Sequence, residues 1–138
     1  MSCQRNWFTT YHPLSPPQRV VIGNGNAIFA IGIGRIGLNL DVGNGRTKYT
    51  VLTDVYHVPE LDGNLLSVSY LANRNLYATF GPNSCTILSD NETVAIGHKR
   101  DALYILAATL SLEDQTAYIV HGPSPFLDPS IPLMALAS

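Results

Sequence analysis

Aspartate is the residue type in this chain with the clearest potential for chemistry. In aspartic proteases two aspartates share one proton and activate the water molecule between them. Each of these aspartates is followed by Ser or Thr and then Gly on a tight loop. The aspartates of this sequence are all followed by other residues; they are Asp41, Asp54, Asp62, Asp90, Asp101, Asp114 and Asp128. We therefore predict that no residue of this chain is catalytic.

Histidine and cysteine give equally little support for a metal site or an activated nucleophile. The histidines stand far apart, at spacings that do not match metal ligands; they are His12, His57, His98 and His121. Cys3 and Cys85 cannot form a disulfide framework or a metal site by themselves. No G-x-S-x-G nucleophile motif occurs. We predict no metal and no cofactor, and a half-buried structural role for His57.

The sequence Gly32-Ile33-Gly34-Arg35-Ile36-Gly37 spells the dinucleotide-binding pattern G-x-G-x-x-G. That pattern binds pyrophosphate when a helix begins directly after the glycines. Here the next residues alternate like a strand and then reach a Gly-Asn-Gly turn, so no helix can begin. Sharp coiling of a strand or a close backbone crossing is the better interpretation.

Composition limits the class of protein. The chain has 138 residues, enough for one domain with a core, and 46% of them are hydrophobic against 13% charged. A formal net charge of −2 does not favour nucleic acid or an anionic membrane as a partner. The first twenty residues resemble no signal peptide, and no apolar run reaches the roughly 20 residues of a membrane helix. We expect an intracellular, cytoplasmic domain.

Short β-patterns dominate the chain. Seven to nine strands at 8–12-residue spacing, with one helix over Leu65–Ala72, predict a mainly β fold, a small closed or nearly closed β-barrel. A loop with at most one helical turn is expected up to residue 18, because prolines crowd there. Residues 107–138 form a Pro-rich apolar tail, with a strand at Ala117–Val120, that packs on the surface or covers a sheet edge.

Several blocks together resemble the protease region of copia-type LTR retrotransposon Pol polyproteins. The most specific is LTDVYHVPELDGNLLSVSYLANRNLYATF, in which a strand, a Val-Pro-x-Leu turn, an Asn-Leu-Leu-Ser run and a short helix follow one another. MSCQRNWF, VVIGNGN, GIGRIGLNL, CTIL and VAIGHKRDALYIL agree in order and spacing. The resemblance covers residues 1–106 and implies a retropepsin-like β-barrel.

The resemblance also implies what is missing and what is buried. In the family, an Asp-Ser-Gly block lies a few residues before the position matched by Met1-Ser2, so the expected barrel lacks its N-terminal strand and catalytic loop. Leu65 and Leu66, followed by Ser67, match the apolar pair that lies beneath the catalytic loop, and Val68–Ala72 matches the short helix that follows it. An unpaired sheet edge would remain, and we expect a homodimer or the chain's own tail to cover it.

Three functions stay open at this point. The leading one is a non-catalytic, domesticated structural or binding module with a peptide or protein ligand. One alternative is an aspartic endopeptidase whose aspartate lies upstream of Met1, and another is an interaction protein that acts on other cells through its surface. The expected ligand positions are two glycine-rich turns; they are Gly23, Asn24, Gly25, Asn26, Gly32, Gly34 and Gly37.

Overall fold

The computed structural model describes residues 1–22, 25–111 and 133–136, and these residues are mostly strand. A single 3-10 turn, Arg5–Trp7, precedes the first strand. The strands are β1 (Phe8–Val21), β2 (Ala27–Gly43), β3 (Arg46–His57), β4 (Asn64–Ser67), β5 (Tyr77–Phe80), β6 (Ser84–Ser89), β7 (Glu92–Arg100), β8 (Leu103–Leu106), β9 (Ala108–Leu110) and β10 (Leu133–Leu136). The helix α1 (Val68–Ala72) lies between β4 and β5.

The strands form two sheets. The first has the order β1-β2-β3, with β9 added to β2, and the second has the order β4-β10-β8-β7-β6-β5. Every pairing is antiparallel except that of β10 with β4. The predicted mainly β, barrel-like class with one short helix is confirmed, and the two sheets do not close on each other.

The long strand β2 connects both parts of the first sheet. It is one continuous strand of 17 residues, although Gly32 and Gly34 interrupt its alternation of apolar side chains. Gly32 and Gly34 keep it continuous because β1 crosses very close to them. A Cβ atom on Gly32 would meet the Tyr11 ring, and one on Gly34 would meet the Thr10 carbonyl. The glycines therefore permit the close backbone crossing that the sequence indicates.

The predicted N-terminal loop is wrong in part, because β1 already begins at Phe8. Its prolines fit a strand for a local reason. The pairing of β1 with β2 shifts register between Pro13 and Gln18, so Pro16 and Pro17 lie where no ladder N–H is required.

The helix α1 begins at Val68, as the resemblance implies, and is shorter than the span Leu65–Ala72 that periodicity alone indicates. The sequence indicates a helix from Leu65, but Asn64–Ser67 pairs with β10 as the strand β4. Ser67 caps the helix, since its hydroxyl oxygen accepts a hydrogen bond from the Tyr70 N–H. The helix can therefore begin only at Val68.

Residues after 106 contribute strands to both sheets. β9 continues the edge of β2 beyond β1, and β10 lies between β4 and β8 inside the second sheet. The predicted strand at Ala117–Val120 lies outside the described residues. The division of the chain at residue 106 stays a prediction.

The core lies between the two sheets. Its residues come from both, and the buried members include Trp7, Phe8, Ile36, Leu38, Leu40, Val55, Leu66, Leu71, Cys85, Ile87, Leu106 and Leu110. Fully burying one such aliphatic side chain contributes roughly 1.5–3 kcal/mol. A second, smaller cluster around Ile28, Ala30 and Val58 supports the far end of β2. Within the described residues, no helix has the length and apolar character needed to cross a membrane.

Candidate functional site

The first two residues lie between two strands and are hydrogen-bonded to both. The Ser2 N–H donates to the Tyr56 carbonyl (2.9 Å), and the Val58 N–H donates to the Ser2 carbonyl (2.8 Å). On the other side, the Leu65 N–H donates to the Met1 carbonyl (2.9 Å). Met1-Ser2 therefore continues the sheet between the end of β3 and the start of β4.

The buried side chain of Ser2 also holds the Met1-Ser2 segment in place. Its hydroxyl donates to Asn64 Oδ1 and accepts from the Gln4 N–H at 3.1 Å. Ser2 and Asn64 are 1% and 0% exposed. Asn64 Nδ2 is also buried and has no acceptor among the described residues. A buried polar pair of this kind specifies position because its groups cannot exchange with water.

The Met1 amino group lies in the same surroundings. It donates to the Leu65 carbonyl at 2.8 Å. Burial disfavours its charged form and lowers its pKa from 8.0 to about 6.

Beside this segment lies a cavity of about 250 Å³ with a mostly apolar lining. We refer to the cavity and the Met1-Ser2 segment together as the N-terminal strand pocket. Its lining includes Met1, Ser2, Ile36, Leu52, Asp54, Val55, Tyr56, Leu65, Leu66, Ser67 and Tyr70. Leu65, Leu66 and Ser67, which the resemblance places beneath the catalytic loop, all line this pocket. Leu66 is 6% exposed and belongs to the core, Leu65 is half-buried, and Ser67 is exposed.

One wall of the pocket is held by Tyr70 on α1. Its hydroxyl donates to the Thr53 carbonyl (2.7 Å) and accepts from the Thr53 N–H (3.0 Å). Thr53 and Asp54 form an irregularity in β3, where two residues lie opposite the single Arg35 of β2. The tyrosine hydroxyl thus satisfies backbone groups that the sheet leaves unpaired. Arg74 stacks on the Tyr70 ring, with its guanidinium carbon 3.5 Å from the ring centroid.

His57 joins the pocket to β1 through a cluster of aromatic rings. Its Nδ1 lies 2.8 Å from the Tyr11 hydroxyl, and the rings of Phe8, Tyr11 and His57 meet edge to face at 5.5–5.7 Å. Burial, and then the nearby Arg5 charge, lower the pKa of His57. His57 is therefore a buried structural residue, as its place in a strand indicates. Sequence reasoning missed Tyr11 and Arg5 as neighbours of His57, because these contacts depend on the register of β1 against β2.

The predicted ligand-binding residues do not form one cluster. Gly32 and Gly34 face β1 closely, and Gly37 is buried with its carbonyl accepting from the Ser111 N–H. Gly25 and Asn26 are exposed at the β1–β2 turn, roughly 36–40 Å along the chain from Gly37 at about 3.3 Å per residue. Gly23 and Asn24 lie outside the described residues. Ligand binding at these positions stays a prediction.

Carboxylates and metal-binding side chains are dispersed over the described part of the chain. No three His, Cys, Asp or Glu side chains there lie together in a way that could hold a metal ion. Asp54 is the carboxylate that lines the N-terminal strand pocket, and its side chain is 78% exposed and lies 3.5 Å from Arg74 Nη2. The pocket is therefore suited to holding polypeptide, and its described residues supply no carboxylate dyad.

A family model described as the Pol polyprotein, beta-barrel domain, matches residues 1–76. This range contains β1–β4 and α1, and so every residue that lines the N-terminal strand pocket. No curated protein and no solved structure matches the chain.

Proposed function

This chain belongs to the Pol polyprotein beta-barrel domain family, and on that premise we propose that it acts as a non-catalytic structural module of a copia-type retrotransposon polyprotein. Its task is to hold an extended polypeptide segment in the N-terminal strand pocket. The copia-type assignment is supported by the order and spacing of the sequence blocks between residues 1 and 106.

The observation that carries the proposal is the hydrogen bonding of Met1-Ser2 on both sides. Backbone bonds to Tyr56, Val58 and Leu65 fix the path of this segment whatever its side chains are. The buried Ser2–Asn64 pair then fixes its register. A domain that immobilises a strand in this way is a scaffold for the polypeptide attached to that strand.

Among the described residues, no carboxylate pair lines the N-terminal strand pocket, which supports a non-catalytic role. Two carboxylates must lie close together to share a proton. Asp54 faces Arg74 instead of a second acid, and the sequence contains no Asp followed by Ser or Thr and then Gly.

A second candidate function is aspartic endopeptidase activity in a longer polypeptide. The resemblance puts an Asp-Ser-Gly block a few residues ahead of Met1-Ser2, the segment that the pocket holds. In that case the same hydrogen bonds would position the catalytic loop, and a second copy would supply the other aspartate.

Proteolysis assays separate the two candidates. The 138-residue chain is incubated with a fluorogenic casein at several pH values between about 4 and 7, a range that covers the ionisation of a carboxylate dyad, with and without pepstatin. We expect no pepstatin-sensitive cleavage. The matched proteins carry an added N-terminal segment with Asp-Ser-Gly, or the same segment with Asn in place of the added Asp.

The outcomes are distinct. Pepstatin-sensitive cleavage by the 138-residue chain itself would overturn the non-catalytic proposal. Cleavage by the Asp-Ser-Gly extension and not by its Asn version would establish the second candidate. Inactivity of all three proteins supports the structural module.

We further propose that the module forms a homodimer through β5, the end strand of the second sheet. No described strand pairs with the outer edge of β5, and its Tyr77 and Phe80 are 66% and 38% exposed. Unpaired edges with exposed aromatic residues favour association.

Light scattering after size-exclusion chromatography should show a dimer that Tyr77→Lys converts to monomer. Val21→Lys, a change at an exposed residue of β1, should leave the dimer intact. A monomeric parent chain contradicts this arrangement.

A further inference from the structure

A second concavity, away from the N-terminal strand pocket, lies where β7, β8 and β9 meet the β2–β3 turn. Its volume is about 680 Å³. Basic side chains dominate its charged lining: Arg46, His98, Lys99 and Arg100 stand against one carboxylate, Asp41. We call this concavity the basic cleft.

The charge of the basic cleft is opposite to that of the whole chain. The sequence has 8 Lys and Arg residues and a net charge of −2, yet Arg46, Lys99 and Arg100 line this one cleft. None of the three forms an ion pair with a described carboxylate. Asp41, whose Oδ1 accepts a hydrogen bond from the Gly43 N–H at 2.8 Å, offsets only one of these three positive charges. The cleft therefore attracts anionic groups.

The basic cleft also has a strand edge. The Asp41 N–H donates to the Ala107 carbonyl, and the Ser111 N–H donates to the Gly37 carbonyl. Because hydrogen-bonded pairs alternate in an antiparallel ladder, Ala108 lies at a position whose N–H and C=O point away from β2. These groups are arranged to pair with another extended chain.

From the charge and the edge together, we propose that the basic cleft binds an acidic polypeptide segment in extended conformation. The segment pairs with the outward N–H and C=O of Ala108 on β9, and its carboxylates lie near Lys99, Arg100 and Arg46. The strand edge favours a peptide over a nucleic acid, because only a peptide backbone matches its donor and acceptor. Among the described residues, the lining contains no Phe, Tyr or Trp on which bases could stack.

Fluorescence anisotropy with a fluorescein-labelled decapeptide of alternating Glu and Val tests the charge requirement. Exposed charge pairs contribute little individually, so Lys99→Gln/Arg100→Gln should weaken binding about five- to tenfold. The matched control is Arg19→Gln/Arg35→Gln, which removes two exposed positive charges from β1 and β2 and should leave the affinity unchanged. Binding should also weaken as salt is added. Equal effects of both double variants would overturn the proposal.

Ala108→Pro tests the strand edge separately. Proline removes the outward N–H of β9 and leaves the bonds of residues 107 and 111 to β2 in place. We expect a several-fold loss of affinity for the same decapeptide with unchanged circular dichroism and thermal unfolding. If Ala108→Pro unfolds the chain, a decapeptide N-methylated at alternate residues, tested on the parent chain, gives the same information. Unchanged affinity in a folded Ala108→Pro variant, or for the N-methylated decapeptide if that variant unfolds, would rule out strand addition.

Two other occupants have recognisable results. Tighter binding of single-stranded oligothymidylate than of the decapeptide, lost in Lys99→Gln/Arg100→Gln, would assign the cleft to nucleic acid and overturn the proposal. A gain in decapeptide affinity in Glu113→Gln/Asp114→Gln would assign it to this chain's own acidic residues, which follow β9 in the sequence. That gain would also overturn the proposal that a separate polypeptide occupies the basic cleft.

Discussion

The N-terminal strand pocket and the basic cleft are both places where the edge of a sheet meets a concavity, and they differ in what surrounds the edge. In the pocket, Met1-Ser2 is hydrogen-bonded on both sides, and the polar pair Ser2–Asn64 is buried. In the cleft, the edge at Ala108 is bordered by Lys99, Arg100 and Arg46, which remain exposed.

The difference shows that the side chains around a sheet edge determine whether the chain itself pairs with that edge or leaves it for a partner. Backbone N–H and C=O groups need partners in both places. Apolar surroundings make an unfilled edge costly, so a part of the chain fills the pocket permanently. Charged surroundings keep an edge hydrated, and so it can stay open until a partner of opposite charge binds. The pocket should therefore contribute to folding stability, whereas the cleft should contribute to binding.

Leu66→Ala should produce the largest loss of stability, about 2–5 kcal/mol of unfolding free energy. Leu66 is 6% exposed in the core and lines the existing cavity, which the substitution would enlarge. Urea denaturation measures the loss. Leu65→Ala is the control, because Leu65 is half-buried and points to the other face of β4, and it should cost clearly less. Equal costs would contradict the assignment of Leu66 as the core residue of the pocket.

Ser2→Ala should cost about 1–3 kcal/mol, since Asn64 Oδ1 would lose its donor while buried. Asn64→Leu should cost less, because it also removes the buried Nδ2 that has no described acceptor. A double-mutant cycle measures the coupling, and the double variant should lose less than the sum of the single losses. Additive losses would show that the two side chains do not interact in solution.

Tyr70→Phe should cost about 1–2 kcal/mol, because two hydrogen bonds to the Thr53 backbone are lost. Tyr49→Phe serves as the matched control, since Tyr49 is 49% exposed on β3, away from the proposed dimer edge. Thermal unfolding should separate the two variants. A similar melting temperature for both would mean that the irregularity in β3 does not need the Tyr70 hydroxyl.

Stability should rise with pH in the 138-residue chain. Burial lowers the pKa of the Met1 amino group to about 6 and also lowers the pKa of His57, so the unfolded state binds more protons than the folded state. The Met1 contribution grows between about pH 6 and 8, and the His57 contribution grows at lower pH, up to the ordinary histidine range. Urea denaturation from pH 5 to 8 measures the slope, and His57→Gln should flatten its acidic part. A slope of the opposite sign would contradict the burial of both groups.

The smallest effect is expected in the basic cleft, where Lys99→Gln/Arg100→Gln should change the unfolding free energy by no more than about 0.5 kcal/mol. Both side chains are exposed and have no described ion-pair partner. The same variant should still lose affinity for an acidic peptide. A large loss of stability would remove the distinction between the two regions.

The order of sequence blocks predicts the family and the mainly β class, because alternating apolar residues and Gly-Asn-Gly turns are local features that a sequence states directly. The same is true of the apolar pair Leu65-Leu66. The length of β2 could not be predicted, since Gly32 and Gly34 interrupt the pattern. Only the packing of Tyr11 and Thr10 against them explains why the strand continues. Periodicity alone did not locate the start of the helix either, because the pairing of Asn64–Ser67 with β10 depends on residues more than sixty positions away, whereas the resemblance places that start at Val68.

By itself, then, the sequence determined the mainly β class and, through the resemblance of its ordered blocks, the family, since both follow from residue types and their spacing along the chain. The tertiary structure alone decided that Ser2 lies against Asn64, that Tyr70 supports β3 at Thr53, and that Arg46 lies in the same cleft as Lys99 and Arg100. Those neighbours come from distant parts of the chain, and their contacts depend on strand register and on the packing of two sheets, which no local pattern records.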